Sequence, residues 1–286
     1  MKRGPSLLNT IFVGDRVADV ARSLGCYPKA MVGGQVPMIE TEYPFVCQLD
    51  CVLCIMGAKR KMLLNAYRKM DIDYVVLERT GGDPDPSGMA AELEAEGLAV
   101  RVLDFTRGLE HAIAEAGGIF GREKEAVKVA AEYGRQLEAA QANLPRPGKR
   151  VLVLLGISRP GAGAQERYLL AETPGGFVDT ALLAPLGCEN VAGPLLSPTE
   201  ETVMGGIQLL REFKGLEEAN PDAIALTGDP LVGLLALRDF ARQHPGQAAR
   251  IPALRDHAVY ALPHCCDANP MSYPHSLALW GQALAG

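Results

Sequence analysis

The stretch GREKEAVKVAAEYGRQLEAAQANL, residues 121–144, decides the fold. Ala126, Val129, Ala130, Tyr133, Leu137 and Ala140 recur every three or four residues, which places them on one face of a helix. Glu123, Lys124, Glu125, Lys128, Glu132 and Arg135 mostly lie off that stripe, and Glu125 with Lys128 is a favourable charge pair. The run stops at Pro145-Arg146-Pro147-Gly148, which cannot continue a helix. On either side the chain alternates short apolar strands with helical runs. The spacing therefore predicts an α/β protein of two parallel-sheet lobes joined by one long helix. The parts are 1–120, a rod over 121–145, and 146–286. The competing reading is an ordinary crossover helix inside a single sheet.

Upstream of the rod, strands are expected over 10–13, 30–32, 73–78 and 100–103. Helices are expected over 17–24, over 89–97 behind a Ser87 cap, and over 107–116. Residues 35–45 read as a loop, and a helix is expected from about Gln48 through the cysteine stretch to Met70. Downstream, strands are expected over 150–155, 223–227 and 259–262, with a turn into strand at 189–193. A glycine-rich loop follows over 156–163. Helices are expected over 178–186, 199–213, 230–243 (with Pro230 in its first turn) and 276–284, the last carrying the only tryptophan, Trp280. Leu24-Gly25-Cys26 and Leu186-Gly187-Cys188 echo one another at equivalent helix ends, and both cysteines read as small buried fillers.

The totals exclude several classes. A chain of 286 residues with 48% hydrophobic content has material for a substantial core. Its 28 basic and 34 acidic residues leave a net charge of −6 and no basic block, which argues against sequence-independent nucleic-acid binding. No run of 18 apolar residues is present to insert in a membrane. Asp15 and Arg16 arrive too early for the apolar region of a signal peptide, so a cytoplasmic location is expected. The alternative is periplasmic or extracellular, with a leader removed.

The seven cysteines are clustered rather than spread as a disulfide frame. Cys47, Cys51 and Cys54 fall within eight residues and point to a soft metal centre, an iron–sulfur cluster of the 4Fe-4S kind or zinc. Radical S-adenosylmethionine enzymes use the same spacing, although Leu53 stands where they carry an aromatic residue. On a helix the three positions would share one face, so a buried stripe is the plain alternative. His264, Cys265 and Cys266 directly follow the last strand, and one of them is expected to complete a four-ligand metal site while its neighbour is a spectator. His275 is a weaker candidate, whereas His111, His244 and His257 read as surface or capping residues. Arg159, beside Gly161-Ala162-Gly163, could hold a carboxylate or phosphate, with Arg167 and Tyr168 on the same rim. That loop matches neither a phosphate loop nor a dinucleotide fingerprint.

Several stretches together resemble the helical-backbone metal receptors, the class III substrate-binding proteins of bacterial importers. They are FVGDRVADVARSLG…AMVGG at the front, LEAEGLAVRVLDFTRGLEHAIAEAGGIFGREKEA into the rod, RVLVLL after it, PDAIAL at Pro221 and IPALRDHAVYALP near the end. The resemblance implies a ligand cleft between two lobes that hinge little, lined by strand carboxyl ends. It also implies a metal, cobalamin, haem or siderophore ligand and a membrane transporter as partner. The cysteine cluster departs from that family. The combined expectation is a binding protein rather than an enzyme, holding a metal, a cluster or a metal chelate. The alternatives are an exported receptor for an iron–siderophore, haem or corrinoid, and a cluster-dependent reductive or radical enzyme.

Overall fold

The computed structural model describes residues 6–33, 43–160, 165–203 and 206–286. The chain divides into two compact units. The first runs to Leu137 and takes in the late segment Asp267–Ser272; the second comprises Glu138–Cys266 and Tyr273–Gly286.

The first unit is built in chain order from β1 (Ser6–Val13), α1 (Asp15–Ser23), β2 (Cys26–Gly33), β3 (Cys47–Cys51), α2 (Val52–Met56), α3 (Arg60–Lys69), β4 (Tyr74–Arg79), α4 (Ala90–Ala95), β5 (Val100–Asp104) and α5 (Leu109–Phe120). All strand pairs are parallel, in the order β3-β2-β1-β4-β5. A central parallel strand is covered on both faces, and Ile11, Phe12 and Val13 of β1 are fully buried. Phe12 packs against Phe120 of α5 with ring centroids 5.4 Å apart.

The rod is α6 (Glu123–Ala142), 20 residues or roughly 30 Å at helical rise. Every residue of the expected stripe is buried or half-buried, while Val127, off the stripe, is 71% exposed. The helix begins just after Gly121, which takes a left-handed conformation (φ 63°) and lets α5 end and α6 start within two residues. Gly117 of α5 has no side chain because Ala126 of the rod occupies the space: a Cβ there would lie 2.6 Å from the Ala126 Cβ. The rod carries the chain from the first unit to the second.

The second unit holds β6 (Arg150–Pro160), β7 (Gln165–Glu172), a π-helical turn (Asp179–Leu183), β8 (Glu189–Asn190), β9 (Thr202–Val203), β10 (Ile207–Leu209), α7 (Leu216–Ala219), β11 (Ala223–Gly228), α8 (Pro230–Gln243), α9 (Pro245–Ala248), α10 (Pro252–Arg255), β12 (Val259–Ala261) and α11 (Tyr273–Ala285). Its sheet runs β12-β11-β6-β7-β10-β9, with β8 beside the start of β6. The β12-β11-β6 part is parallel and the β7-β10-β9 part antiparallel, so this sheet is mixed rather than wholly parallel. The two faces alternate strictly. Val151, Val153, Ala223 and Ala225 pack with Trp280, Leu277 and Cys265, while Leu152, Leu154, Ile224 and Leu226 pack with Leu216, Leu237 and Ile251. Trp280 is fully buried and its indole Nε1–H donates to the Pro263 carbonyl at 3.1 Å.

Three expectations are corrected. The helix expected over 199–213 is instead β9 and β10, because β10 completes the ladder of β7 and Gly206, at φ 111°, takes a conformation no helix contains. The expected loop over 156–163 is strand through Pro160, since β6 continues as one arm of a hairpin paired with β7. The helix expected from about Gln48 starts only at Val52, and the preceding residues form β3.

Candidate functional site

In a sheet of order 3-2-1-4-5 the chain winds one way from β1 to β3 and the other way across β4 and β5. The loops at the carboxyl ends of β1 and β4 therefore diverge and leave a crevice. Register identifies the residues there. Val13 pairs with Val32 on one side and Leu77 on the other, and Gly33 pairs with Cys51. Cys51, Gly33, Gly14 and Glu78 thus lie in one row across the carboxyl edge. A cavity of about 150 Å³ opens at this row, lined among others by Gly14, Arg16, Val52, Glu78, Asp83 and Asp267.

Two glycines make the row possible. A Cβ on Gly14, which also has φ 119°, would lie 2.1 Å from Glu78 Oε2; one on Gly33 would lie 1.9 Å from Asp15 Oδ1. Both spaces are filled by buried carboxylates, with Glu78 2% and Asp15 2% exposed. The backbone N–H of Arg16 donates to Glu78 Oε2 at 3.1 Å, and the Arg16 guanidinium lies 3.5 Å from Glu78 Oε1. The same guanidinium donates to the Asp267 carbonyl at 2.9 Å and to Asp267 Oδ2 at 2.5 Å. Arg16 is therefore the hub between a buried and an exposed carboxylate. Burial outweighs its attraction, and the Glu78 carboxyl is pushed up to about 7.

Val52 brings the cysteine segment to the edge of this cavity. Cys51 ends β3 and caps α2, its Sγ accepting from the Cys54 N–H at 3.2 Å. Asp50 Oδ1 accepts from the Cys51 N–H at 2.8 Å, and Asp50 Oδ2 from Lys59 Nζ at 2.7 Å. The Lys59 hydrogen bond holds the Asp50 carboxyl below its ordinary range. The hydrogen bond with Cys51 pushes the Cys54 thiol up to about 11. Donor atoms of Asp50, Cys51 and Cys54 lie within 4.8 Å of one another, and no other group of three His, Cys, Asp or Glu donors is that close among the described residues. Cys47 is exposed at the far end of β3 and is not of this group. Cys47 is not brought within that distance, because strand rise separates positions 47 and 51 by about 13 Å, whereas helical rise would have stacked them.

The remaining expected residues are placed as follows. Cys265 is 1% exposed in the core around Trp280, and burial pushes its thiol up to about 12. It packs there as a core side chain beside Leu277. His264 is half-buried, its Nδ1 has no hydrogen-bond partner, and burial depresses its imidazole to about 4. Cys266 is half-buried in the same loop. Gly161, Ala162, Gly163 and the side chain of Arg159 lie outside the described residues. Arg167 and Tyr168 are exposed on β7, where the Tyr168 hydroxyl donates to Glu166 at 2.9 Å. His275 and His257 are exposed, His111 is half-buried, and His244 sits between α8 and α9 against Phe240 at 5.3 Å. Cys26 and Cys188 are buried, which raises both thiols. Sequence reasoning missed Arg16, Glu78, Asp267 and Asp50. The one local signal was the Gly14-Asp15-Arg16 turn directly after the first strand.

No family model and no curated relative matches the chain. Solved structures match it from end to end. The periplasmic haem-binding protein BhuT, in complex with two haems, superposes with a TM-score of 0.64 at 15% identity over 98% of both chains. The iron-uptake system-binding protein FeuA from Bacillus subtilis gives 0.60 at 15% identity over 96% of this chain and 93% of its own. A protein of an ABC-type Fe3+-hydroxamate transport system from Saccharomonospora viridis gives 0.54 at 18% identity over 99% and 94%. The chain therefore has the fold of the class III substrate-binding proteins, as the sequence resemblance implied. Among the described residues, no helix is long and apolar enough to cross a membrane.

Proposed function

We infer that this chain is the solute-binding receptor of an ABC-type importer, and that its solute is a metal-containing small molecule such as haem or a ferric chelate. The observation that carries this reading is the end-to-end match to a haem-binding protein, to a binding protein of an iron-uptake system and to a protein of an Fe3+-hydroxamate transport system. The first unit supplies a matching anchor. Its carboxyl-edge cavity is small, about 150 Å³, so it receives one polar arm of a larger molecule rather than the whole. Arg16 is the group for that arm. It already holds the exposed Asp267 carboxylate, and a ligand carboxylate or hydroxamate oxygen takes the place of Asp267 on the same guanidinium. Cys51 and Cys54, which flank the lining residue Val52, put soft donors beside the cavity.

This reading places the protein outside the cytoplasmic membrane with a membrane transporter as partner, in exchange for the cytoplasmic location expected from the sequence. The four-iron cluster is not retained, since none of the matched proteins is described as holding one. The test is titration of the purified chain with haemin and with a ferric hydroxamate, followed by ligand absorbance. One of them binds at one or two molecules per chain, and Arg16→Ala weakens that binding at least tenfold. Absence of saturable binding of either class would remove the reading.

A further inference from the structure

Beside the cavity, three donor atoms stand together without any loop having to close. Asp50 and Cys51 are the last two residues of β3, held in place by the pairing of Cys51 with Gly33, and Cys54 follows in α2. All three are half-buried, and their donor atoms lie within 4.8 Å of one another. A tetrahedral zinc with bonds of about 2.0–2.3 Å needs ligand atoms roughly 3.3–3.8 Å apart, so only a small contraction is required. The donors suit that ion, since thiolate sulfur selects zinc-like cations over magnesium or calcium.

Charge gives a second, independent fit. Two thiolates and a carboxylate carry three negative charges. Lys59, bonded to Asp50 at 2.7 Å, supplies one positive charge, and a dication brings the site to neutrality. Asp50 keeps its bonds to the Cys51 N–H and Lys59 and gives up only that to the Cys54 thiol, whose proton the ion replaces. An ionised carboxylate has about four lone-pair sites, and hydrogen bonds from the Cys51 N–H and Lys59 use two of them. Lys59 then acts as the outer partner that orients the ligating carboxylate.

We propose that Asp50, Cys51 and Cys54 form a three-ligand site for a soft divalent cation of the zinc class, with the fourth position open to water and with Cys47 excluded. The ion replaces the two thiol protons, which leave to solvent as the two metal–sulfur bonds form. The site is independent of whether the cavity binds a chelate.

The experiment is a cobalt(II) titration of the metal-free full chain under a thiol-free reductant, read by thiolate-to-cobalt charge-transfer absorption. One ion per chain binds and zinc displaces it. Because removal of an outer partner costs on the order of 10–100-fold, Lys59→Met weakens binding within that range, and Cys51→Ser or Cys54→Ser by more. Cys47→Ser leaves it within twofold. Serine is itself a favoured helix cap, so Cys51→Ser keeps α2 intact, and circular dichroism checks this. A reduced wild-type chain that takes up no cobalt, or a Cys47→Ser variant as impaired as Cys51→Ser, overturns the proposal. Haemin titration of the wild-type chain separates this failure from failure of the receptor reading: a chain that binds haemin but takes up no cobalt sinks the cation site alone.

Discussion

Replacing Glu78 by glutamine should change how stability depends on pH. The wild-type carboxyl is 2% exposed, and burial raises it to about 7 from an ordinary 4.5. The sign follows from which state holds the proton. Between pH 4.5 and 7 the folded chain keeps a proton on Glu78 that the unfolded chain has released. Stability is therefore fully present below 4.5 and is lost as pH rises through 7. At about 1.4 kcal/mol per pH unit the whole interval amounts to about 3 kcal/mol, a ceiling that local relaxation reduces. Glutamine cannot ionise, and its amide oxygen can still accept from the Arg16 N–H that now bonds Glu78 at 3.1 Å. The variant should lose the 3.5 Å contact with the Arg16 guanidinium but escape the pH-linked penalty. Urea denaturation of both proteins at pH 5 and pH 8 measures this. Glu172, raised by burial to about 8, acts in the same direction in the second unit, so the comparison rests on the difference between variant and wild type. Wild type should lose about 1–3 kcal/mol more than Glu78→Gln between the two pH values. Parallel losses would refute the idea that Glu78 is buried at a charge penalty.

Other outcomes are expected at positions where packing decides. Gly33→Ala drives a Cβ to 1.9 Å from the buried Asp15 carboxylate and should cost about 1–3 kcal/mol by chemical denaturation. Trp280→Ala should cost about 3–5 kcal/mol, because it empties the core of the second unit and orphans the Pro263 carbonyl. Native thiol labelling followed by peptide mass analysis should modify exposed Cys47 first, Cys54 more slowly at neutral pH because its thiol sits near 11, and Cys26, Cys188 and Cys265 only after unfolding.

The rod and the alternation around it were legible because both are periodic signals within one element. The stripe from Ala126 to Ala140 needed only helical geometry, and α8 over Pro230–Gln243 was marked by its proline and by its spacing. Where the sequence misled, a neighbour decided. Leu49, Val52, Leu53 and Ile55 suit a helix or a strand equally, and the open edge of β2 took the segment as β3 up to Cys51. Ile207–Leu209, within the expected helix, were likewise claimed by the ladder of β7.

For the site, the sequence alone determined which soft donors exist, that the net charge is −6, and that it is an α/β protein with a rod. Only tertiary structure decided which donors meet. Strand pairing moved Cys47 away and brought Asp50 into its place, because a strand advances about 3.3 Å per residue and a helix only 1.5 Å. It also assembled Arg16, Glu78 and Asp267, which lie 62 and 251 residues apart along the chain. No local pattern encodes such distances. They follow from the row that parallel register draws across the carboxyl edge of the sheet and from the return of Asp267–Ser272 to the first unit.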